Sequence, residues 1–154
     1  MIGLYDISAR DSLLVLGTGN RSESLLGYTT LHGDNACALS PLGQLYKTEI
    51  RLLAKYLGLP DAVILKPPSA DLWVGQSDEE ELGFTYADAD QILHYSVDEK
   101  LGEKQLAALG FAPALISLVI KRMFSMAFKR RLPPAAAFPD RPEPEGVANQ
   151  RGHP

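Results

Sequence analysis

The chain has 154 residues, 45% of them hydrophobic and 22% charged, which is the size and balance of one globular domain. Its net charge of −4 gives no general pull toward nucleic acid or acidic membranes. A single cysteine, Cys37, excludes an internal disulfide and any multi-cysteine metal site, and suits a reducing, cytoplasmic setting.

Residues 1–10 show no basic patch followed by an apolar run, so no signal peptide is read there. Residues 2–9 read as the end of a helix. After Arg10-Asp11-Ser12 comes Leu13-Leu14-Val15-Leu16, then Gly17-Thr18-Gly19-Asn20-Arg21-Ser22-Glu23. Four apolar residues, a Gly-x-Gly turn and a helix start predict a buried parallel strand feeding a helix. In open α/β sheets ligands sit outside the carboxyl ends of the strands, and free N–H groups at a helix start favour phosphate. Thr18 and Glu23 are therefore candidates for chemistry. The competing reading is structural: Asn20 and Glu23 fit a capping box, in which Glu23 only closes the first turn.

The next helix is predicted over residues 21–31, ended by Gly33-Asp34. Residues 37–39 read as a short extended piece, with Cys37 a small core residue. His32 lacks a partner at metal-ligand spacing. A second helix is expected over residues 45–57. Tyr46, Ile50, Leu53 and Leu57 form an amphipathic stripe, and Gly58 and Pro60 stop it. Lys47 near its start opposes the dipole, a mild sign of an anionic partner.

Two prolines in Lys66-Pro67-Pro68-Ser69-Ala70 rule out a helix interior. The acidic run Asp78-Glu79-Glu80-Glu81 reads by itself as a solvated loop and helix start. Residues 86–95 read as a short helix with Ala89, Ile92 and Leu93 inward, and residues 101–109 as another. Pro113 opens a longer helix to about residue 131, with Leu115, Leu118, Val119, Arg122, Met123 and Met126 on one face. The triplet Lys129-Arg130-Arg131 either complements that helix's C-terminal dipole or holds phosphate. The longest uncharged apolar run, residues 106–120, is too short to span a membrane and is broken by Gly110 and Pro113. From Pro133 onward the chain carries six of its eleven prolines, so residues 136–154 are expected to be a disordered tail.

The ordered set of motifs resembles the NAD synthetase family. It comprises Gly17-Thr18-Gly19-Asn20 with Ser22-Glu23, Gly27-Tyr28, Gly33-Asp34, Pro41-Leu42 and Leu45-Tyr46-Lys47-Thr48. It continues with Lys66-Pro67-Pro68-Ser69-Ala70-Asp71-Leu72, Gln76-Ser77-Asp78-Glu79-Glu80-Glu81-Leu82-Gly83, and Phe128-Lys129-Arg130-Arg131. The resemblance covers residues 1–135. It implies an α/β fold, an adenine-nucleotide α-hydrolase-like (Rossmann-like) parallel sheet with flanking helices. Only the C-terminal half of that sheet is expected in this chain, because the family's Ser-Gly-Gly-x-Asp-Ser phosphate loop is not found.

The resemblance also implies a chemistry. The family adenylates the nicotinate carboxylate of deamido-NAD with ATP, and ammonia then displaces AMP to form the amide. By motif match Thr18, Lys47 and Ser69 would contact ATP, Glu23 would ligate Mg²⁺, and Lys129 would contact deamido-NAD. Residues 69–83 look like the family's closing loop. A homodimer in the cytoplasm is implied, with no nucleic acid or membrane partner. The chain is expected to be a poor catalyst alone; the rival reading is a non-catalytic nucleotide-binding or dimer-forming remnant. Leu31, Ala38 and Phe128 depart from the family's usual Lys, Asp and His.

Overall fold

The computed structural model describes residues 1–131. Its core is assembled on α6 (Tyr86–Leu93), whose Tyr86, Ala89, Ile92 and Leu93 are fully buried. Thr85 caps this helix, its hydroxyl accepting from the Asp88 amide. Burial of a side chain such as Ile92 or Leu93 contributes about 1.5–3 kcal/mol. Around α6 pack α2 (Arg21–Leu26), α3 (Lys47–Tyr56) and α8 (Pro113–Ser125). The inward residues Ala89, Ile92 and Leu93 are those the helical period predicts.

The remaining elements are α1 (Ile2–Asp11), the one-turn α4 (Asp61–Ile64), α5 (Asp78–Leu82) and α7 (Glu103–Ala108). A wide π-type turn, His94–Asp98, continues α6. A 3₁₀ turn, Ala127–Arg130, follows α8.

The parallel sheet is present only as a trace among the described residues: a single parallel pairing of Leu16 with Leu39. The Gly17 amide donates to the Leu39 carbonyl at 2.7 Å and the Ala38 amide to the Val15 carbonyl at 2.9 Å. The extended piece at residues 37–39 therefore lies beside residues 15–17. The expected burial of residues 13–16 is corrected. Val15 is buried, but Leu13, Leu14 and Leu16 are 56–71% exposed, because among the described residues only the short piece at residues 37–39 lies beside them.

Two helix bounds and one apolar stripe are also corrected. The helix predicted over 21–31 stops at Leu26, because Gly27 adopts φ +62° and terminates it. The stripe on α3 is only half used: Tyr46 is buried, whereas Leu53 and Leu57 are exposed. The helix opened by Pro113 ends at Ser125 and tightens into the 3₁₀ turn; its buried face is Ile116, Val119 and Met123, and Leu118 is exposed. The tail expected over 136–154 lies outside the described residues. No helix among the described residues is long and apolar enough to cross a membrane.

Candidate functional site

A cavity of about 590 Å³ opens where the Gly-x-Gly turn, the start of α3 and the segment before α5 meet. Thr18, Glu23, Lys47, Ser69 and Lys129 all line it, so residues separated by more than a hundred positions share one cavity.

Glu23 sits at the first turn of α2 and serves two partners. Its Oε2 accepts from the Asn20 amide at 3.1 Å, while the Asn20 side chain accepts from the Glu23 amide at 2.9 Å: the capping box is complete. Its Oε1 accepts from Lys47 Nζ at 2.7 Å. Lys47 also lies over the Tyr86 ring, 5.4 Å from its centre.

A buried carboxylate beneath this pair holds the two helix starts together. Asp90 on α6 is 4% exposed. Its Oδ1 accepts from Ser22 Oγ at 2.5 Å, and its Oδ2 from the Thr48 amide and hydroxyl at 2.9 and 2.8 Å. Ser22 Oγ in turn accepts from the Lys47 amide at 2.8 Å. Ser22, next to Glu23 on α2, and Thr48, next to Lys47 on α3, are thus tied to α6. Sequence reasoning missed Asp90. The signal was present, since Tyr86, Ala89, Asp90 and Leu93 fall at i, i+3, i+4 and i+7 on the apolar face.

The acidic run is the helix start expected of it, with Glu80 and Glu81 exposed, and only Asp78 is corrected from solvated to buried. Ser77 caps α5, Leu82 enters the core, and Asp78 is 3% exposed. Burial pushes the Asp78 carboxyl above its usual range. Tyr28 lies beside it, its hydroxyl pushed up first by burial and then by the Asp78 charge. Residues 72–74 reach outward, with Val74 fully exposed.

Lys129 turns one flank of the cavity. Its Nζ donates to the Gly27 and Thr29 carbonyls, both at 2.7 Å. Arg130 donates to the Ser24 and Leu25 carbonyls, and Arg122 to the Leu26 carbonyl. By sequence the basic triplet complements the dipole of its own helix or holds phosphate; in the structure Arg130 caps the Ser24 and Leu25 carbonyls of α2, with one bond back to Met123, and Lys129 takes the Gly27 and Thr29 carbonyls just beyond that helix. Phe128 is exposed.

Among the described residues no three His, Cys, Asp or Glu side chains converge to hold a metal by themselves. Mg²⁺ normally takes one or two carboxylates together with substrate phosphates, and Glu23 facing a cavity with a lysine beside it fits that donor set.

A sequence profile of the NAD synthase family matches residues 1–133. The chain belongs to that family. It is 56% identical over 136 residues to the NH₃-dependent NAD⁺ synthetase of Wolinella succinogenes, covering 88% of this chain and 53% of that one. The solved NH₃-dependent NAD synthetase of Campylobacter jejuni, in complex with nitrate, is 40% identical with a TM-score of 0.66, over 87% of this chain and 50% of that one. The NMN synthetase of Francisella tularensis is 34% identical with a TM-score of 0.71, over 89% and 52%. The chain thus spans about half the length of the curated relatives it matches. These relatives are ligases of NAD biosynthesis, as the motif set of residues 17–131 anticipates.

Proposed function

We propose that this chain, residues 1–135 in particular, forms the part of an ammonia-dependent NAD synthetase that grips ATP and deamido-NAD. What supports the reading is one observation: the five residues assigned from four separate motifs line a single cavity. The nicotinate carboxylate attacks the α-phosphorus of ATP and pyrophosphate leaves. Ammonia then attacks the acyl carbon of the adenylate, and AMP leaves as the amide forms.

The residues have distinct parts in this scheme. Lys47 offers a cation to the phosphates, released from Glu23 when they arrive. The Thr18 and Ser69 hydroxyls donate to nucleotide oxygens. Lys129, already holding two carbonyls, keeps one N–H for deamido-NAD. Glu23 would hold Mg²⁺, which when bound neutralises phosphate charge and orients the α-phosphorus. Residues 69–83 cover the cavity and keep water from the adenylate. We further propose a cytoplasmic homodimer, and that the pairing of Leu16 with Leu39 belongs to a parallel Rossmann-like sheet.

The test is binding followed by turnover. Isothermal titration of the chain with Mg²⁺–ATP should give a saturable heat, and Lys47→Ala should weaken it about 10-fold or more, the worth of one charge-assisted contact. Joined to the N-terminal half of the Wolinella relative, the chain should convert deamido-NAD, ATP and ammonia to NAD. No ATP binding, or equal binding by Lys47→Ala, would reject the reading. A preference for nicotinate mononucleotide over deamido-NAD would move it toward the Francisella enzyme.

A further inference from the structure

Lys47 is held at both ends by α6. Its amide donates to Ser22 Oγ at 2.8 Å, and Ser22 passes that hold to Asp90 at 2.5 Å. Its ammonium pairs with Glu23 at 2.7 Å and lies over the Tyr86 ring, 5.4 Å from the centre. These two partners of the ammonium take different things from it. The Glu23 carboxylate neutralises the charge and occupies an N–H donor. A ring face attracts the charge through its quadrupole and leaves the N–H groups free. The ring is also firmly seated. Tyr86 is fully buried, opens α6 and has its amide fixed by Glu79 Oε1 at 2.8 Å. Its hydroxyl is buried with no hydrogen-bond partner among the described residues, so packing of the ring, not its polar end, sets its place. Tyr86 is not among the residues lining the cavity, and reaches it through Lys47.

We propose that Tyr86 is a positioning residue whose ring face keeps the Lys47 ammonium aimed into the cavity after Glu23 has let it go. The inference rests on the synthetase reading, in which Lys47 turns from Glu23 to phosphate. A lysine that loses its carboxylate is a point charge on a flexible four-carbon stem, and ordering it again opposes binding. The ring removes much of that loss, because it is in contact with Nζ before the phosphates arrive and takes none of the N–H groups they need. The Lys47 side chain is 24% exposed, and the attraction of a cation to a ring strengthens as water is removed. The backbone end of Lys47, held through Ser22 and Asp90, and its ammonium end, held by Tyr86, are thus referred to the same helix.

The test varies the charge on the ring face while keeping the ring. In the whole chain Tyr86 is replaced by phenylalanine and then by 4-fluoro-, 3,5-difluoro- and 3,4,5-trifluorophenylalanine, each checked by its melting curve. Tyr86→Phe removes only an unpaired hydroxyl and should not lower Tm. Fluorine draws charge from the ring face, so a cation over it is held progressively less. Mg²⁺–ATP affinity, read by isothermal titration, should stay within about 2-fold in Tyr86→Phe and fall stepwise along the series, by about 5-fold or more at its end. In a Lys47→Met background the series should be flat, because no cation is there to feel the ring. Nuclear Overhauser contacts between the Lys47 ε-methylene and the ring should be present in the free chain and persist with ATP bound. A flat series in the chain that carries Lys47 overturns the inference. So does an equal slope in Lys47→Met, which would make Tyr86 a packing residue only, and so does loss of the ring contact when ATP binds. In these three cases ATP still binds, so the synthetase reading stands. No ATP binding by any sample, or binding indifferent to Lys47→Met, rejects that reading and this inference with it.

Discussion

Replacing Asp90 should loosen the site from beneath. Its carboxylate accepts three hydrogen bonds, two of them from Thr48, and is nearly inaccessible to water. In Asp90→Asn one oxygen remains. Turned toward Thr48, it leaves an amide NH₂ facing the Ser22 hydroxyl, whose own oxygen is already committed to the Lys47 amide. One charge-assisted bond is lost and two fall to neutral strength. At about 1.5–3 kcal/mol for a charged bond and about 1 for a neutral one, the cost is about 3 kcal/mol. Asp90→Ala leaves all three donors without a partner and should cost about 4–5 kcal/mol. With a urea slope of about 1.5 kcal/mol/M, Asp90→Asn should lower the urea midpoint by about 2 M with the slope unchanged. The same variant, measured well below its midpoint, should bind Mg²⁺–ATP more weakly, because Ser22 and Thr48 no longer hold the starts of α2 and α3 in register. A midpoint shift under about 0.5 M would refute the reasoning, since it would mean the network contributes less than one ordinary hydrogen bond. Lost stability with unchanged ATP affinity would leave Asp90 a core residue with no bearing on the cavity.

Three further outcomes are expected. Glu23→Gln keeps an acceptor for the Asn20 amide but loses the ion pair to Lys47, so it should cost about 1 kcal/mol or less in urea while the magnesium dependence of ATP binding weakens; an unchanged magnesium dependence would remove the metal role. Burial would raise the Asp98 carboxyl, yet hydrogen bonds from Tyr46 and His94 and the Arg21 charge hold it below its usual value. Its contribution is therefore complete above the unfolded value near about 4 and is lost as pH falls through the folded one. Asp98→Asn should lower stability at neutral pH and flatten the acid limb of the urea midpoint, and an unflattened limb would count against the cluster. Limited chymotrypsin digestion should cut first after Leu72 or Trp73, which stand exposed beside Val74; a first cut inside α3 would contradict the assignment of residues 69–83 as the covering segment.

Much of this protein is determined by local pattern. The 3.6-residue period of Ala89, Ile92 and Leu93 places α6 at the centre, because a helix must bury its apolar side. Asn20 with Glu23 makes a capping box wherever a helix starts, since both groups are within three residues of each other. The family motifs at residues 17–23, 45–48, 66–83 and 128–131 mark the cavity-lining residues by type and order alone. Other features depend on distance in space, which the sequence does not carry. Gly27 ends α2 because its backbone turns left-handed against Met126, overriding four more residues of plausible helix. Lys129 and Arg130 find carbonyls at and just beyond the end of α2, a hundred residues away in sequence. Asp78 reads as one of four solvated acids, and only packing against Tyr28 sets it apart as buried. Asp90 reads as a polar interruption of an apolar face, and becomes a fastening point only when Ser22 and Thr48 arrive from two other helices with donors that burial obliges it to satisfy.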